Sequence, residues 1–342
     1  MISLKKFSII LIIVVFSLNK IEAISFENQL ITTYDNNNIV INNNNLILSE
    51  YSLENQNNPI KFEMINNLSV KDISNINWDI NNMALGPYRF TVTYKNKLNE
   101  YRLGLQQLSF GAAKYIRPLQ WFDSINPLDN DTLNEGVYGL LYRKYNKQNH
   151  TTWFWVLYGN ELLRIADLYR TVDNRVEVGG RYQLPIAFGE IGLSIHRREI
   201  KFNLSEATEN RLGFDFISKG LIPLWTEHVI VMAESDSENQ QILRSMLGTD
   251  YTLGIGNGLY LLTEWSYSNV LINSETSSLI GGVVQLNYPI SVLDQVSYIA
   301  QVSDQGQAEH IWVYSRTFDF FKAVTMLYTK DKKASIAFYW NY

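Results

Sequence analysis

The chain has 342 residues, 46% hydrophobic, 13% aromatic, only 18% charged, and no cysteine. That length suffices for one domain or two small ones and rules out global disorder, while the missing cysteine excludes a disulfide framework and any cysteine nucleophile or metal ligand. Mean hydropathy is slightly negative, against a polytopic helical membrane protein, and 29 basic against 34 acidic residues give a net charge of −5, which offers no case for nucleic acid.

Lys5 and Lys6 precede an apolar run from Phe7 to Leu18, and Ile21-Glu22-Ala23 ends on a small residue, so 1–23 reads as a cleaved secretory signal. The run is short of the roughly 18 to 20 residues of a spanning helix. A secreted chain without cysteine suits a bacterial envelope. Residues 24–82 hold seventeen asparagines, and their short apolar runs are either strands separated by asparagine turns or a luminal or periplasmic extension. Residues 60–70, with Ile60, Phe62 and Met64 alternating, are the best strand candidate there.

From Tyr88 the period is two. Tyr88, Phe90, Val92 and Tyr94 alternate with Arg89, Thr91, Thr93 and Lys95, and the pattern recurs in fifteen segments of about ten residues. Ten tilted residues is about what crosses a bilayer as a strand. The last segment, 333–342, places Ile336, Phe338, Trp340 and the final Tyr342 on one face. Short connectors at 96–98, 146–151, 185–186, 219–224, 257, 288–293 and 318–319 alternate with longer ones at 109–135, 160–174, 199–208, 235–248, 269–277, 303–307 and 330–332. This fits short periplasmic turns and longer external loops. Parity requires an even count, with sixteen strands preferred and eighteen the alternative. The expected fold is an all-β transmembrane antiparallel barrel over 83–342, with 24–82 supplying the first strand or strands or lying outside the wall.

The run GLQQLSFGAAKYIRPLQWFDSINPLDNDTLNEGVYGLLYRKY at 104–145, WFWVLYGN at 153–160 and EVGGRYQLPIAFGEIGLSIHRR at 177–198 resemble an uncharacterised family of Gram-negative outer-membrane, porin-like β-barrel proteins. Gly104, Gln106, Phe110, Gly111, Arg117, Pro118, Trp121, Phe122, Asp123, Gly179, Gly180 and Arg181 fall on its pattern. Asn126 stands where an aspartate often precedes Pro127. The resemblance implies fold and location, in the bacterial outer membrane among its lipid. The aromatic end Ile336, Phe338, Trp340, Tyr342 likewise resembles the signal that the barrel-assembly machinery is implied to read.

Loop 109–135 is longer than a connector needs to be. Arg117, Asp123 and Asp129 either fold inward to pair with wall charges, making a constriction, or belong to an ordered surface loop. With apolar faces toward lipid, Arg89, Arg102, Arg143, Arg175, Arg181, Arg198 and Arg211 should point inward with Glu177, Asp215 and Glu264. This arginine excess either favours anionic solutes or braces a closed barrel through ion pairs. Ser194 and His196 share a face, but about 7 Å between such neighbours is too far for a serine–histidine hydrogen bond. Glu190 and Glu199 flank His196, yet His150, His228 and His310 show no metal spacing. Gly254, Gly256 and Gly258 open a hairpin, so no cofactor site is expected. Trp153, Trp155, Trp225, Trp312 and Trp340 read as membrane-interface girdles. The function expected is a passive pore for small solutes. A closed structural or surface-interaction barrel is the alternative, with an outer-membrane enzyme a distant third.

Overall fold

The computed structural model describes residues 23–35, 38–53, 60–70, 83–129, 134–202, 205–234, 239–272, 275–304, 306 and 308–341. Residues 1–22, which hold all but the last residue of the expected signal 1–23, and Tyr342 lie outside the described residues. Among those described there are eighteen strands: β1 (Ala23–Asp35), β2 (Asn38–Leu53), β3 (Ile60–Val70), β4 (Met83–Asn96), β5 (Asn99–Gln106), β6 (Val137–Tyr145), β7 (Thr151–Tyr158), β8 (Val176–Ile186) and β9 (Gly189–Phe202), followed by β10 (Ser205–Ser218), β11 (Leu224–Glu234), β12 (Asn239–Leu253), β13 (Leu259–Ile272), β14 (Glu275–Pro289), β15 (Asp294–Ser303), β16 (Ala308–Thr317), β17 (Lys322–Tyr328) and β18 (Lys333–Asn341).

Each strand pairs antiparallel with its neighbour in the chain. β1 also pairs with β18, from Glu27 opposite Asn341 to Tyr34 opposite Ala334, so the sheet closes on itself. Closure satisfies the backbone of both outer strands and leaves no edge to aggregate. The preferred count of sixteen gives way to eighteen because the asparagine-rich stretch supplies β1, β2 and β3.

Alternation sets the two faces of the wall. On β9, Leu193 and Ile195 are 53% and 58% exposed, whereas Ser194 and His196 are 2% and 3% exposed. On β7 the outward residues are Phe154, Val156 and Tyr158, and the inward ones Trp155 and Leu157. Here the girdle expectation is corrected, because Trp155 and Trp225 are buried on the inner face, with Trp153 packed beside them, while Trp312 faces outward. Both faces of this part of the wall are apolar, so alternation cannot tell which meets lipid.

Hairpins run further than the sequence suggests. The expected external loops 199–208, 235–248 and 269–277 are largely strand, since β9 and β10 reach Phe202 and Ser205, β12 begins at Asn239, and β13 and β14 reach Ile272 and Glu275. Pro185 belongs to the end of β8, with the turn after it. Among the described connectors, two are long, 107–136 and 159–175, and both leave the same end of the barrel. We call this the loop end, and the opposite one the turn end.

Candidate functional site in the barrel interior

Loop 107–136 folds against the inner face of the wall. Two wall carboxylates hold it: Glu227 on β11 and Glu264 on β13, both fully buried. Glu227 accepts backbone N–H bonds from Ala112 at 2.7 Å, Ala113 at 2.8 Å and Leu119 at 3.1 Å. Glu264 accepts them from Lys114 at 2.7 Å, Tyr115 at 2.9 Å and Ile116 at 2.7 Å, and a further bond from the Trp225 indole at 3.0 Å. Six backbone donors of one loop thus converge on two ionisable side chains, satisfying amides that would otherwise be buried unpaired. Gly111 permits the approach: its φ is +97°, and a Cβ there would lie 2.5 Å from Glu227 Oε1.

An aromatic wedge fixes the same loop. Phe110 meets Trp121 edge-on at 5.5 Å and stacks on Trp155 at 5.7 Å, and Phe122 lies edge-on to His196 at 5.2 Å. The wall contributes Val137, Leu141, Leu157, Val229, Val231 and Ile242 to this cluster. Further along, Tyr115, Ile116 and Leu128 pack on Val283, Ile299, Ile311 and Met326 of β14 to β17. Tyr328 of β17 donates to the Leu128 carbonyl at 2.9 Å. The loop leaves β5 and reaches strands on the opposite side of the ring, so it crosses the interior.

Charged residues brace this arrangement. Arg117 pairs with Asp123, and Asn134 donates to Asp123 Oδ1 at 2.8 Å, tying the middle of the loop to the stretch before β6. Burial holds the Arg117 guanidinium below its ordinary pKa even with Asp123 beside it. Burial also pushes the Tyr115 phenol up to about 12. The second loop inserts Asp167 between Arg198 at 3.0 Å and Arg211 at 2.5 Å, while Glu209 bridges the same arginines at 2.7 Å each. Burial alone would raise the Asp167 carboxyl, but Arg211 and Arg198 outweigh it and hold it below the ordinary value. Arg181 reaches Asp215 with two bonds of 2.6 and 2.8 Å. Arg143 lies 3.6 Å from Glu100 and 3.8 Å above the Trp153 ring.

The inferred arginine excess is therefore corrected. Arg102, Arg143, Arg181, Arg198 and Arg211 all have carboxylate partners, and Arg175 is exposed at the loop end, where it pairs with Glu199 and Glu206. Arg89 donates to Gln107 and to the Asn134 carbonyl. The partners Glu100, Glu209 and Asp167 were missed, as was Glu227. The available signal for Glu227 was a lone carboxylate between Trp225 and Val229 in one inward row.

Arg117, Asp123, Arg143, Arg181, His196, Arg198, Arg211 and Asp215 are brought into this interior network. Asp129 lies apart, 3.6 Å from Lys333, and Glu190 accepts from Gln183 at 3.0 Å near the turn end. His196 is engaged by Glu177 at 3.1 Å and Trp155 at 3.2 Å, and Ser194 by Arg181 at 2.9 Å, which does not make a nucleophile–base pair of Ser194 and His196. Among the described residues no group of three or more acidic or histidine side chains could hold a metal ion. Beside the loop, toward β12 to β14, a cavity of 360 Å³ remains, bordered by Ile116, Arg117 and Gln120 on the loop and Arg244 and Ser266 on the wall.

No protein-family model matches the chain, and neither does any curated protein. Solved structures do. OccD3 (OpdP) of Pseudomonas aeruginosa aligns with a TM-score of 0.60 at 10% identity, over 94% of this chain and 91% of that one. The anion-selective porin of Comamonas acidovorans gives 0.52 at 10% identity, over 93% and 98%. OmpT, an outer membrane protein of Vibrio cholerae, gives 0.54 at 8% identity, over 94% and 98%. At these identities the likeness establishes the fold, that of outer-membrane β-barrels.

Proposed function

We propose that the chain is a bacterial outer-membrane pore through which small solutes diffuse, narrowed by loop 107–136. The observation that carries this reading is the cavity left between the loop and the β12 to β14 wall: the loop crosses the interior but leaves space beside it. The barrel fold shared with porins supports the same reading. Passage would depend on the width of that space and on the groups around it, among them Arg117 and Arg244, and diffusion asks no chemistry of the wall. The aromatic row Ile336, Phe338, Trp340, Tyr342 would serve as the assembly signal.

A second reading, a closed barrel with a structural or surface role, is favoured by the six backbone bonds that fasten the loop. Swelling of vesicles loaded with a non-permeant polymer separates the two. The pore predicts entry of small sugars and amino acids with a sharp loss as solute size rises. Equal exclusion of every solute by well-folded protein supports the closed barrel and rejects the pore.

A further inference from the structure

Tight turns normally carry Gly, Asn, Asp, Ser or Pro because their backbone meets water. Over one continuous arc of the turn end, each turn of this barrel adds a large, exposed apolar side chain to such residues or puts one in their place. Phe188 between β8 and β9, Leu221 between β10 and β11, Ile255 between β12 and β13, Val292 between β14 and β15, and Phe320 between β16 and β17 are all exposed, Leu221, Val292 and Phe320 by 97, 101 and 75%. These are successive turns around the ring. The other described turns on the same rim carry less apolar surface: Lys97 and a less exposed Leu98, at 39%, follow β4, and Asn146-Lys147-Gln148-Asn149 follows β6.

An apolar surface this extensive marks a contact with something other than water. The pattern on the barrel selects the occupant. The apolar turns continue the outward rows of the strands beside them: Ile222 leads into Leu224 on the outward row of β11, and Phe188 lies 5.9 Å from Phe216 on the outward row of β10. At β17 the link is a chain of rings: Phe318 stacks on Phe321 at 4.4 Å, and Phe321 lies 6.0 Å from Phe338 and 5.9 Å from Trp340 on β18. A surface continuous with the lipid-facing band requires the same solvent as that band.

We propose that this arc of the rim is immersed in lipid, so that the barrel sits tilted, its β8 to β17 side deeper in the leaflet at the turn end than its β4 to β7 side. The inference rests on the reading of the chain as a transmembrane barrel. It commits to lipid as the occupant over a second copy of the chain.

The chain has no cysteine, so single cysteines can carry a nitroxide label without further engineering. Leu221→Cys, Val292→Cys and Phe320→Cys report the apolar arc, Lys97→Cys and Lys147→Cys the polar turns, and Leu212→Cys the middle of the outer face. In phosphatidylethanolamine and phosphatidylglycerol vesicles, labels on the arc should be relaxed more by oxygen than by a water-soluble nickel complex, as at 212, with the order reversed at 97 and 147. Nickel accessibility on the arc equal to that at 97, with 212 still in lipid, overturns the tilt alone. A water-accessible label at 212 overturns the barrel reading itself. Spin–spin broadening on the arc that vanishes on dilution with unlabelled protein means a second copy covers it, and also overturns the proposal.

Discussion

Asp167 belongs to a loop, yet it is buried between two wall arginines, and its contribution follows from that position. Replacing it with alanine leaves Glu209 as the one carboxylate bonded to Arg198 and Arg211 among the described residues, and breaking such a buried network costs about 3 to 5 kcal/mol. Urea unfolding of the refolded barrel should register that loss. The carboxyl is held below its ordinary pKa, so its stabilisation is complete above the unfolded-chain value of about 3.9 and is lost as pH falls through the lower folded value. The stability difference between wild type and Asp167→Asn should therefore hold from pH 7 to 5 and shrink below pH 4; a difference independent of pH would show that the folded carboxyl keeps its unfolded-chain pKa and gains nothing from the arginines. Pairing also bears on the selectivity of the proposed pore. Arg181 is committed to Asp215, whereas Arg244 borders the cavity and gives one bond of 2.8 Å to the Ala166 carbonyl. Arg244→Gln should shift the reversal potential in a salt gradient away from anions, and Arg181→Gln should leave it nearly unchanged. A larger shift from Arg181 would contradict that assignment. The inward direction of Arg181, Arg198 and Arg211 was legible from alternation alone. Their partners were not, because ion pairing depends on which strands and loops meet, and Asp167 lies 44 residues from Arg211.

At the scale of elements, loop 107–136 is the part whose state matters most. Its length and its Arg-Pro-Leu-Gln-Trp-Phe-Asp run marked it in the sequence, and Trp121 and Phe122 do pack inside. The anchoring was hidden because it consists of backbone amides meeting Glu227 and Glu264, and backbone groups carry no sequence signature. Replacing both glutamates with glutamine leaves one accepting oxygen where each side chain now uses two, and sets an NH2 donor against a backbone N–H. The double variant should keep the barrel intact while loop 107–136 becomes cleavable by protease and single-channel current becomes larger and noisier. Unchanged cleavage and current would mean the aromatic wedge alone holds the loop. β1 to β3 illustrate the opposite limit. Asparagine is disfavoured in strands, so 24–82 resembles turns when read locally. Closure of the ring pairs β1 with β18 on one side and β2 on the other, and this tertiary requirement overrides local preference.

For the whole molecule, sequence patterning revealed the architecture before any contact was known. Strands of membrane-crossing length, an even parity and short connectors on one side belong together only in a barrel. The interior was less legible, since a residue facing a packed loop and one facing lipid are both apolar, as on β7. The low charge content of the chain has the same origin: both surfaces of much of the wall are apolar, and the charges gather in a paired interior network. The net charge of −5 accordingly says little about the surface that the interior presents. Single-channel recording of the purified, folded barrel in a planar lipid bilayer shows whether the space beside the loop conducts. Discrete, uniform conductance steps at low voltage are expected, and well-folded protein that inserts without any steps rules out the pore.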